Sequence, residues 1–163
     1  MNTEASSGQV QVIPSEPMAW DSPEFNRLMR ITIPGRVKLI SFAGKKVLVT
    51  DLSGTRAMQS TAVMAEMVRV VALHAPGTVL ALVDVTDWVF DTKLLTIAAE
   101  AARRNARYIT KCAVVGASGL RSIAFQTIVR KSGRNNLRCA LTRLDALNWL
   151  VLPESSTAGS TYL

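Results

Sequence analysis

The stretch from Val79 to Trp88 reads VLALVDVTDW, and this stretch decides the fold class of the chain. It begins as a short apolar run rich in β-branched residues and ends in two aspartates with a threonine near them. A run bounded in this way predicts a strand buried on both faces, which is typical of parallel sheets. Since open α/β sheets bind ligands at the carboxyl ends of such strands, Asp84, Thr86 and Asp87 are the leading candidates for a functional site.

The segments around this strand predict an α/β chain in which an N-terminal β-hairpin precedes alternating strands and helices. The hairpin turns at Gly44-Lys45, and a last helix opens at Thr142 and Asp145, which resemble a shortened capping box. We expect a mostly parallel sheet of four to five strands with helices packed on it, and a first strand that lies antiparallel at or near an edge. The expected elements are strands at 37–43, 46–52, 79–84, 111–115 and 137–141 and helices at 56–74, 91–108 and 120–131.

The length of 163 residues fits one domain with a sizeable core. We place this domain at 35–152, between an N-terminal tail at 1–34 and a C-terminal tail at 153–163, and we expect both tails to be flexible. No apolar run approaches the roughly 20 residues that span a bilayer. The first residues also lack the basic and apolar regions of a secretory signal, so we expect a cytoplasmic protein.

The net charge of +7 is unevenly distributed along the chain. Ten basic residues and no acidic residue lie between Glu100 and Asp145. At helical spacing, Arg103, Arg107 and Lys111 are expected to form one exposed basic face. The segment has few aromatic residues to stack on bases, and it offers no separate amphipathic basic helix for a membrane surface. We therefore favour a solvated face, or the docking of an acidic partner, over nucleic-acid or membrane binding.

The chain offers little of the chemistry that catalysis or metal binding needs. Its one histidine, His74, is expected at a helix C-terminus, where a cation is favourable. Its two cysteines, Cys112 and Cys139, fall in predicted strands and are expected to be small core residues without a disulfide. One histidine and two separated cysteines make neither a zinc set nor a nucleophile–base pair. We therefore expect no catalytic residue, no metal site and no cofactor.

The turn from Gly116 through Ser118 to Gly119 leaves two interpretations open. In the first, its N–H groups and the helix N-terminus after it hold an anion, with Arg121 and Arg134 adding charge. The ligand would then be an anionic small molecule, a nucleotide or a lipid head group. In the second, it is a plain strand-to-helix turn in which Ser118 caps the helix. The turn matches neither a P-loop, a dinucleotide fingerprint nor a nucleophile elbow.

A methionine stripe on the first predicted helix also has two interpretations. Met58, Met64 and Met67 are either core residues or a face that adapts to the shape of a partner. This helix is apolar around much of its circumference, so something must cover it. Self-association as a homodimer is one way to do so.

Several segments together carry a family resemblance. They are ISFAGKKVLVTDLSG at 40–54, VDVTD at 83–87, AVVGASGL at 113–120 and SGRN at 132–135, followed by Thr142-Arg143 and a final ALNWL at 146–150. Together they resemble the STAS-like, anti-sigma-factor-antagonist-like single-domain proteins of bacteria. The resemblance implies a β-hairpin followed by βα units, no catalysis, and regulation through protein contacts.

The resemblance also implies a role for Thr86. In the antagonists of that superfamily, a Ser or Thr that follows an Asp at a strand-to-helix turn is phosphorylated by a partner kinase. Thr86, after Asp84, is the nearest counterpart in this chain. The family's Asp-Ser-Ser-Gly pattern is absent, and Asp87-Trp88 stands where small residues are expected.

The leading hypothesis is therefore a non-enzymatic regulatory domain that binds another protein. Its contact surface would comprise Asp84, Asp87, Trp88 and Met58, with Thr86 as a phosphorylation switch. The alternative hypothesis is the anion-binding module at the 116–121 turn and the basic helix face.

Overall fold

The computed structural model describes residues 35–153 and, outside that range, only Pro23. The described residues form five strands and four helices. The strands are β1 (Val37–Phe42), β2 (Lys45–Asp51), β3 (Val79–Asp84), β4 (Ile109–Val115) and β5 (Leu137–Ala140). The helices are α1 (Ala57–Val71), α2 (Thr92–Asn105), α3 (Leu120–Ser132) and α4 (Arg143–Val151).

The strands form one sheet in the sequential order β1-β2-β3-β4-β5. β1 lies at an edge and pairs antiparallel with β2, whereas the other pairs are parallel. The predicted α/β class, the mostly parallel sheet and the edge position of the first strand are confirmed. The parallel strands all end on one side, which we call the carboxyl edge and which is marked by Asp51, Asp84, Val115 and Ala140. The opposite side is the amino edge.

The hairpin between β1 and β2 turns at Ala43-Gly44, one residue earlier than predicted. Phe42 pairs with Lys45, which leaves a two-residue loop, and both loop residues have positive φ, 47° for Ala43 and 76° for Gly44. Two left-handed residues define the type I′ turn, whose twist matches that of the flanking strands. The geometry therefore fixes the register of β1 on β2.

The sheet separates two apolar clusters, because side chains alternate between its faces along each strand. On one face, Leu48, Ala81 and Cys112 pack against residues of α1 and α2 such as Met64 and Leu94. On the other face, a smaller cluster packs under α4 and consists of Val47, Val49, Leu82, Ala113, Val115, Ala146 and Leu150. Among the described helices, α1, α2 and α3 thus pack on one face of the sheet, and α4 packs on part of the other.

Several helix ends differ from the sequence prediction. α1 ends at Val71 rather than His74, and α2 ends at Asn105 rather than near residue 108. The predicted role of His74 at the end of this helix is supported by its side chain, since Nδ1 lies 3.0 Å from the carbonyl oxygen of Val70. Such contacts satisfy carbonyl groups that have no partner inside the helix.

Two helices have a side-chain N-cap at the residue that the sequence favours, and a third does not. Asp91 caps α2, since its carboxylate accepts a hydrogen bond from the N–H of Leu94 at 2.7 Å. Thr142 caps α4 in the same way, by accepting from the N–H of Asp145 at 3.1 Å. The Ser118 cap of α3 is wrong: the N-cap residue is Gly119, and no side chain caps this helix.

Helix α3 is packed differently from the prediction. Leu120 and Ile123 were expected on its inner face, but they are 77% and 61% exposed. Ala124 is its one buried residue, and Phe125 and Ile128 are only partly buried. α3 packs mainly on α2, and its Phe125 and Ile128 line an apolar cavity together with residues of the sheet such as Val114.

The two predicted tails, 1–34 and 153–163, lie outside the described residues except for Pro23 and Pro153. Among the described residues, no helix is both long enough and apolar enough to cross a membrane.

Candidate functional site at the carboxyl edge

Two aspartates stand side by side at the carboxyl edge. Asp51 ends β2 and Asp84 ends β3, and the two are register partners in the parallel pair. Asp84 is only 5% exposed. The first residue of α4, Arg143, reaches it with both Nε and Nη2, each 2.8 Å from Asp84 Oδ2. The start of α4 therefore supplies the counter-charge for a carboxylate buried at the end of the central strand.

The surroundings of Asp84 favour its ionised form. Burial raises the pKa of the Asp84 carboxyl. Hydrogen bonds from Thr86 and the contact with the Arg143 guanidinium outweigh burial and hold that pKa below its ordinary value. Asp84 is therefore an ionised structural anchor at neutral pH and a poor proton donor.

Asp51 extends this pair into a row of alternating charges. Its carboxylate lies 3.8 Å from Arg143 Nη2 on one side and 3.7 Å from Arg36 Nη1 on the other. Arg36 Nη1 also donates to the carbonyl oxygen of Ser53 at 2.7 Å. The row Arg36–Asp51–Arg143–Asp84 ties the first strand, two central strand ends and the last helix together.

Sequence reasoning identified only Asp84 in this row. Asp51 carried the same signal, because it also ends an apolar strand. The arginines could be recognised only once the strand order was known. Two residues separate Arg143 from the end of β5, so Arg143 also lies at the carboxyl edge.

Thr86 and Asp87 lie exposed above this row. The N–H of Thr86 donates to Asp84 Oδ1 at 2.9 Å, so the buried carboxylate fixes the turn that presents the threonine. Asp87 has a φ of 54°, in the left-handed region that only short polar residues and glycine adopt readily. Both residues are accessible, as predicted for a contact surface.

The turn that carries Thr86 is packed directly against the next strand-to-helix turn. A Cβ on Gly116 would lie 2.7 Å from the Cα of Thr86, so only glycine fits there. Arg121 bridges the same two turns, because its Nε donates to the Gly116 carbonyl oxygen at 2.9 Å and its Nη2 lies 3.9 Å from Asp87 Oδ1. A change at Thr86 would therefore also shift the turn that precedes α3.

Trp88 is a correction to the predicted contact surface. It is 4% exposed, and its Nε1 donates to Ser60 Oγ at 2.9 Å. The left-handed conformation of Asp87 and the hydrogen bond from the N–H of Trp88 to the Val85 carbonyl oxygen turn the chain back, so the indole enters the core. Trp88 anchors the loop on α1 and is not available to a partner.

The methionine stripe divides between the two interpretations. Met64 and Met67 are buried at 2% and 8% exposure and belong to the core. Met58, in the first turn of α1, is 41% exposed. It lies at the carboxyl edge because α1 follows β2, and so it remains a candidate contact residue.

Other large apolar side chains are exposed at the same edge. Leu141 is 94% exposed immediately after β5, and Leu120 is 77% exposed where α3 begins after β4. Each such residue follows the carboxyl end of a parallel strand within ten residues. We call this set the apolar rim: Met58, Val89, Leu120, Leu141 and Leu144.

The second predicted site is not assembled as expected. Gly116, Ser118, Gly119 and Arg121 form the turn before α3, but Arg134 lies beyond the C-terminus of that helix, at the opposite edge of the sheet. Arg121 Nε is already bonded to the Gly116 carbonyl oxygen. An anion at this turn would therefore not be held by both arginines.

The predicted basic face is also divided. Arg103 and Arg104 both pair with Glu100, at 2.6 and 2.9 Å. Lys111 is wrong as a member of this face, since α2 ends before it and its side chain is 7% exposed beneath α4. Its Nζ donates to the carbonyl oxygen of Leu152 at 2.6 Å.

The cysteines differ from each other in burial. Cys112 lies in the core, as predicted, but Cys139 is exposed on the last strand, and both thiols are free. Cys139 is exposed because β5 ends the sheet. Within residues 35–153, no group of three or more His, Cys, Asp or Glu side chains is placed to hold a metal ion.

Comparison with known proteins gives no match: no family model, no curated protein and no solved structure matches this chain. The resemblance to STAS-like proteins therefore stays a prediction.

Proposed function

We propose that this chain is a STAS-like regulatory domain, without catalytic activity of its own, that acts by binding another protein through its carboxyl edge. The observation that carries the proposal is the position of two exposed polar residues, Thr86 and Asp87, among the side chains of the apolar rim. The Asp84–Arg143 pair lies beneath Thr86 and Asp87.

The composition of this edge supports a protein as the partner. Single exposed apolar side chains are ordinary on protein surfaces, but apolar side chains gathered at one edge mark interaction sites. Leu141 at 94% and Leu120 at 77% exposure have almost no cover within the chain. A partner with an apolar surface and a basic or hydrogen-bond-donating group opposite Asp87 would complement this edge.

Phosphorylation of Thr86 would change this surface directly. A phosphate adds about −1.5 to −2 charge, and it would stand beside the carboxylates of Asp84 and Asp87. Arg121, which already contacts Asp87 at 3.9 Å, is a neighbouring cation able to pair with it. The phosphate would draw Arg121 away from Asp87 and Gly116, so both turns and the neighbouring Leu120 would shift.

The test of the docking surface compares two exposed leucines at opposite edges. The full chain serves as bait in affinity capture from the native cell's lysate, at moderate salt and with nuclease added. Leu141→Asp should lose a specific protein partner that the unchanged chain retains. Leu73→Asp is the matched control, because Leu73 is 74% exposed beyond the C-terminus of α1, at the amino edge. Equal capture by both variants, or no protein captured at all, contradicts the proposal.

The switch is tested separately at Thr86. Thr86→Glu should change the affinity for the captured partner while the fold remains intact, as measured by titration and circular dichroism. Mass spectrometry should find phosphate on Thr86 after incubation with the captured kinase and ATP, and Thr86→Val should abolish it. Thr96→Val, on the exposed side of α2, should leave the modification unchanged. Unaltered affinity in Thr86→Glu would remove the switch but not the docking surface.

A further inference from the structure

A cavity lies between the sheet and the helices that cover it. Its volume is about 80 Å³, and on the same measure one water molecule needs only about 10–15 Å³. The cavity extends along β4 from Trp88 and Val85 near the carboxyl edge to Ile109 and Leu137 at the amino edge. It is long rather than compact, and it is separate from the apolar rim.

The cavity exists because the side chains that line it do not fill the space between them. Protein interiors are normally packed as densely as organic crystals, but the side chains here leave about 80 Å³ between them. Phe125 and Ile128 of α3 form one wall, and the small side chains of Ala98 and Ala101 on α2 form another. The lining is almost entirely apolar, so an apolar body is what fits it.

Two polar side chains at one end of the cavity lack the partners that their burial requires. Asn105 is 1% exposed, and its Nδ2 has no hydrogen-bond partner within residues 35–153. Arg134 is 7% exposed, and it donates from Nε and Nη2 to one neutral acceptor, Asn136 Oδ1, at 3.0 and 2.8 Å. Buried amides are nearly always hydrogen-bonded and buried charges nearly always paired.

No counter-charge for Arg134 comes from the described part of the chain. None of the ion pairs within residues 35–153 involves Arg134. Cys112 also lines the cavity, but burial raises the pKa of its thiol to about 11, so it is neutral at physiological pH. Arg134 is therefore a buried cation that faces a cavity without an anion.

The fold places Asn105 and Arg134 at the same end of the cavity. Asn105 is the last residue of α2, and its carbonyl oxygen accepts from the N–H of Tyr108 just before β4. Asn136, the partner of Arg134, donates from Nδ2 to the carbonyl oxygen of Ile109, the first residue of β4, at 2.7 Å. Both cavity-lining side chains therefore lie near the amino end of β4.

We propose that this cavity binds a monocarboxylic acid with a linear apolar chain. The carboxylate accepts hydrogen bonds from Asn105 and Arg134, and the chain runs along β4 beneath α3 towards Trp88. At the amino end of the cavity, one guanidinium and one amide match a single carboxylate, because that group carries one charge and accepts from both donors. The other arginine that lines the cavity, Arg121, lies at the carboxyl edge, where its Nε donates to the Gly116 carbonyl oxygen. A phosphate carries more charge than one buried arginine neutralises, and an alcohol would leave the cation unpaired.

The first experiment asks what the cavity recognises. Isothermal titration of the full chain uses decanoate and decyltrimethylammonium below their micelle concentrations and decanol below its solubility limit in water. We expect saturable binding of one decanoate, at least tenfold weaker binding of decanol, and no binding of the cation. Equal affinity for decanoate and decanol would overturn the carboxylate assignment, and the absence of binding by decanoate would overturn the site.

The second experiment asks where the ligand lies. Asn105→Asp and Arg134→Gln should each weaken decanoate binding at least tenfold, the first by repulsion and the second by loss of the cation. The matched controls Asn135→Asp and Arg130→Gln change exposed residues and should bind as the unchanged chain does. Circular dichroism and thermal unfolding identify any variant that fails to fold.

A third variant fills the cavity and keeps the proposal testable if a polar variant does not fold. Ala101→Leu should raise the unfolding temperature, because it occupies empty apolar space, and should abolish decanoate binding. Decanoate binding that survives Ala101→Leu would place the ligand on the exposed apolar rim and overturn the proposal.

Discussion

Two buried charged residues at opposite edges of the sheet, Asp84 and Arg134, have contrasting surroundings. Asp84 is 5% exposed and meets both Nε and Nη2 of Arg143 at 2.8 Å. Arg134 is 7% exposed, and within the described part of the chain its hydrogen bonds go to the neutral side-chain oxygen of Asn136. The protein completes one of these sites with its own last helix and leaves the other facing a cavity.

The contrast assigns different roles to the two edges. A buried charge with a matched partner holds parts of the chain together, so the Asp84–Arg143 pair is a structural support for the exposed residues above it. A buried charge without a partner is costly to the folded state, and a ligand that supplies the counter-charge would remove that cost. The proposed protein partner accordingly lies at the surface of the carboxyl edge, and the proposed ligand lies in the interior, with its carboxylate near the amino edge.

The largest expected effect concerns the backbone at the two edges. Gly116→Ala should lower the free energy of unfolding by about 3 kcal/mol or more, because its Cβ would overlap Thr86 and its φ is 82°. Gly133→Ala should cost only about 1 kcal/mol, since its φ is 67° but the space around it is open. Urea unfolding monitored by circular dichroism measures both. Equal costs would show that the contact between Gly116 and Thr86 is not tight.

The next effect removes the counter-charge of Asp84. Arg143→Met should lower the free energy of unfolding by about 2 kcal/mol. This is less than the roughly 3–5 kcal/mol typical when a fully buried pair loses one partner, because the Arg143 side chain is half exposed and water can reach Asp84. Arg103→Met, which breaks a surface pair with Glu100, is the control and should cost under about 0.5 kcal/mol. If both variants cost the same, Asp84 does not depend on Arg143.

The corresponding change at the amino edge should have the opposite sign. Arg134→Met should raise the free energy of unfolding of the ligand-free protein by up to about 1 kcal/mol, because it removes a buried charge that lacks a counter-charge. Asn136 would keep its hydrogen bonds to the carbonyl oxygens of Ile109 and Thr110. Urea unfolding without ligand measures the change. A loss of more than about 1 kcal/mol would mean that the guanidinium stabilises the fold by itself.

The order and type of the elements were predictable from the sequence because local patterns determine them. The run from Val79 to Asp84 is apolar and bounded by turn residues, and its predicted limits are those observed. The N-caps Asp91 and Thr142 were also predictable, since a capping bond spans only three residues. The inner face of α3 was not, because Leu120 and Ile123 have helical spacing but are exposed, and spacing alone does not show which side of a helix the rest of the chain covers.

The candidate site was predictable only in part, because its partners are distant in sequence. Asp84 and Thr86 follow a recognisable strand, but Arg143 lies 59 residues from Asp84 and reaches it through a strand order that periodicity does not reveal. Trp88 was misplaced because the left-handed conformation of Asp87 reverses the chain. The lack of a partner for Asn105 Nδ2 among the described residues could not be predicted at all, because it depends on which side chains the fold brings around the end of α2.

The smallest expected effect is on the pH dependence of stability and involves Asp84. Its pKa in the folded protein is below the ordinary value of 3.8, so around that pH the unfolded chain binds more protons than the folded one. Its contribution to stability is complete above the unfolded pKa and is lost as the pH falls through the folded pKa. Below about pH 4, the free energy of unfolding should therefore fall less steeply in Asp84→Asn than in the unchanged protein. The difference between the two, measured by urea unfolding, should be under about 1 kcal/mol.

Salt separates this effect from the second carboxyl with a lowered pKa, Glu100. Burial raises the pKa of Glu100, but the hydrogen bonds that it accepts from Arg103 and Arg104 outweigh burial and hold that pKa below its ordinary value. Those arginines are 65% and 45% exposed, so about 1 M salt, where the screening length is near 3 Å, should abolish the difference between Glu100→Gln and the unchanged protein. The Asp84→Asn difference should persist at the same salt, because Asp84 is buried. If salt also removes the Asp84→Asn difference, the carboxyl edge is as solvated as the surface of α2. The two edges would then differ in their exposure to solvent rather than in the pairing of a buried charge.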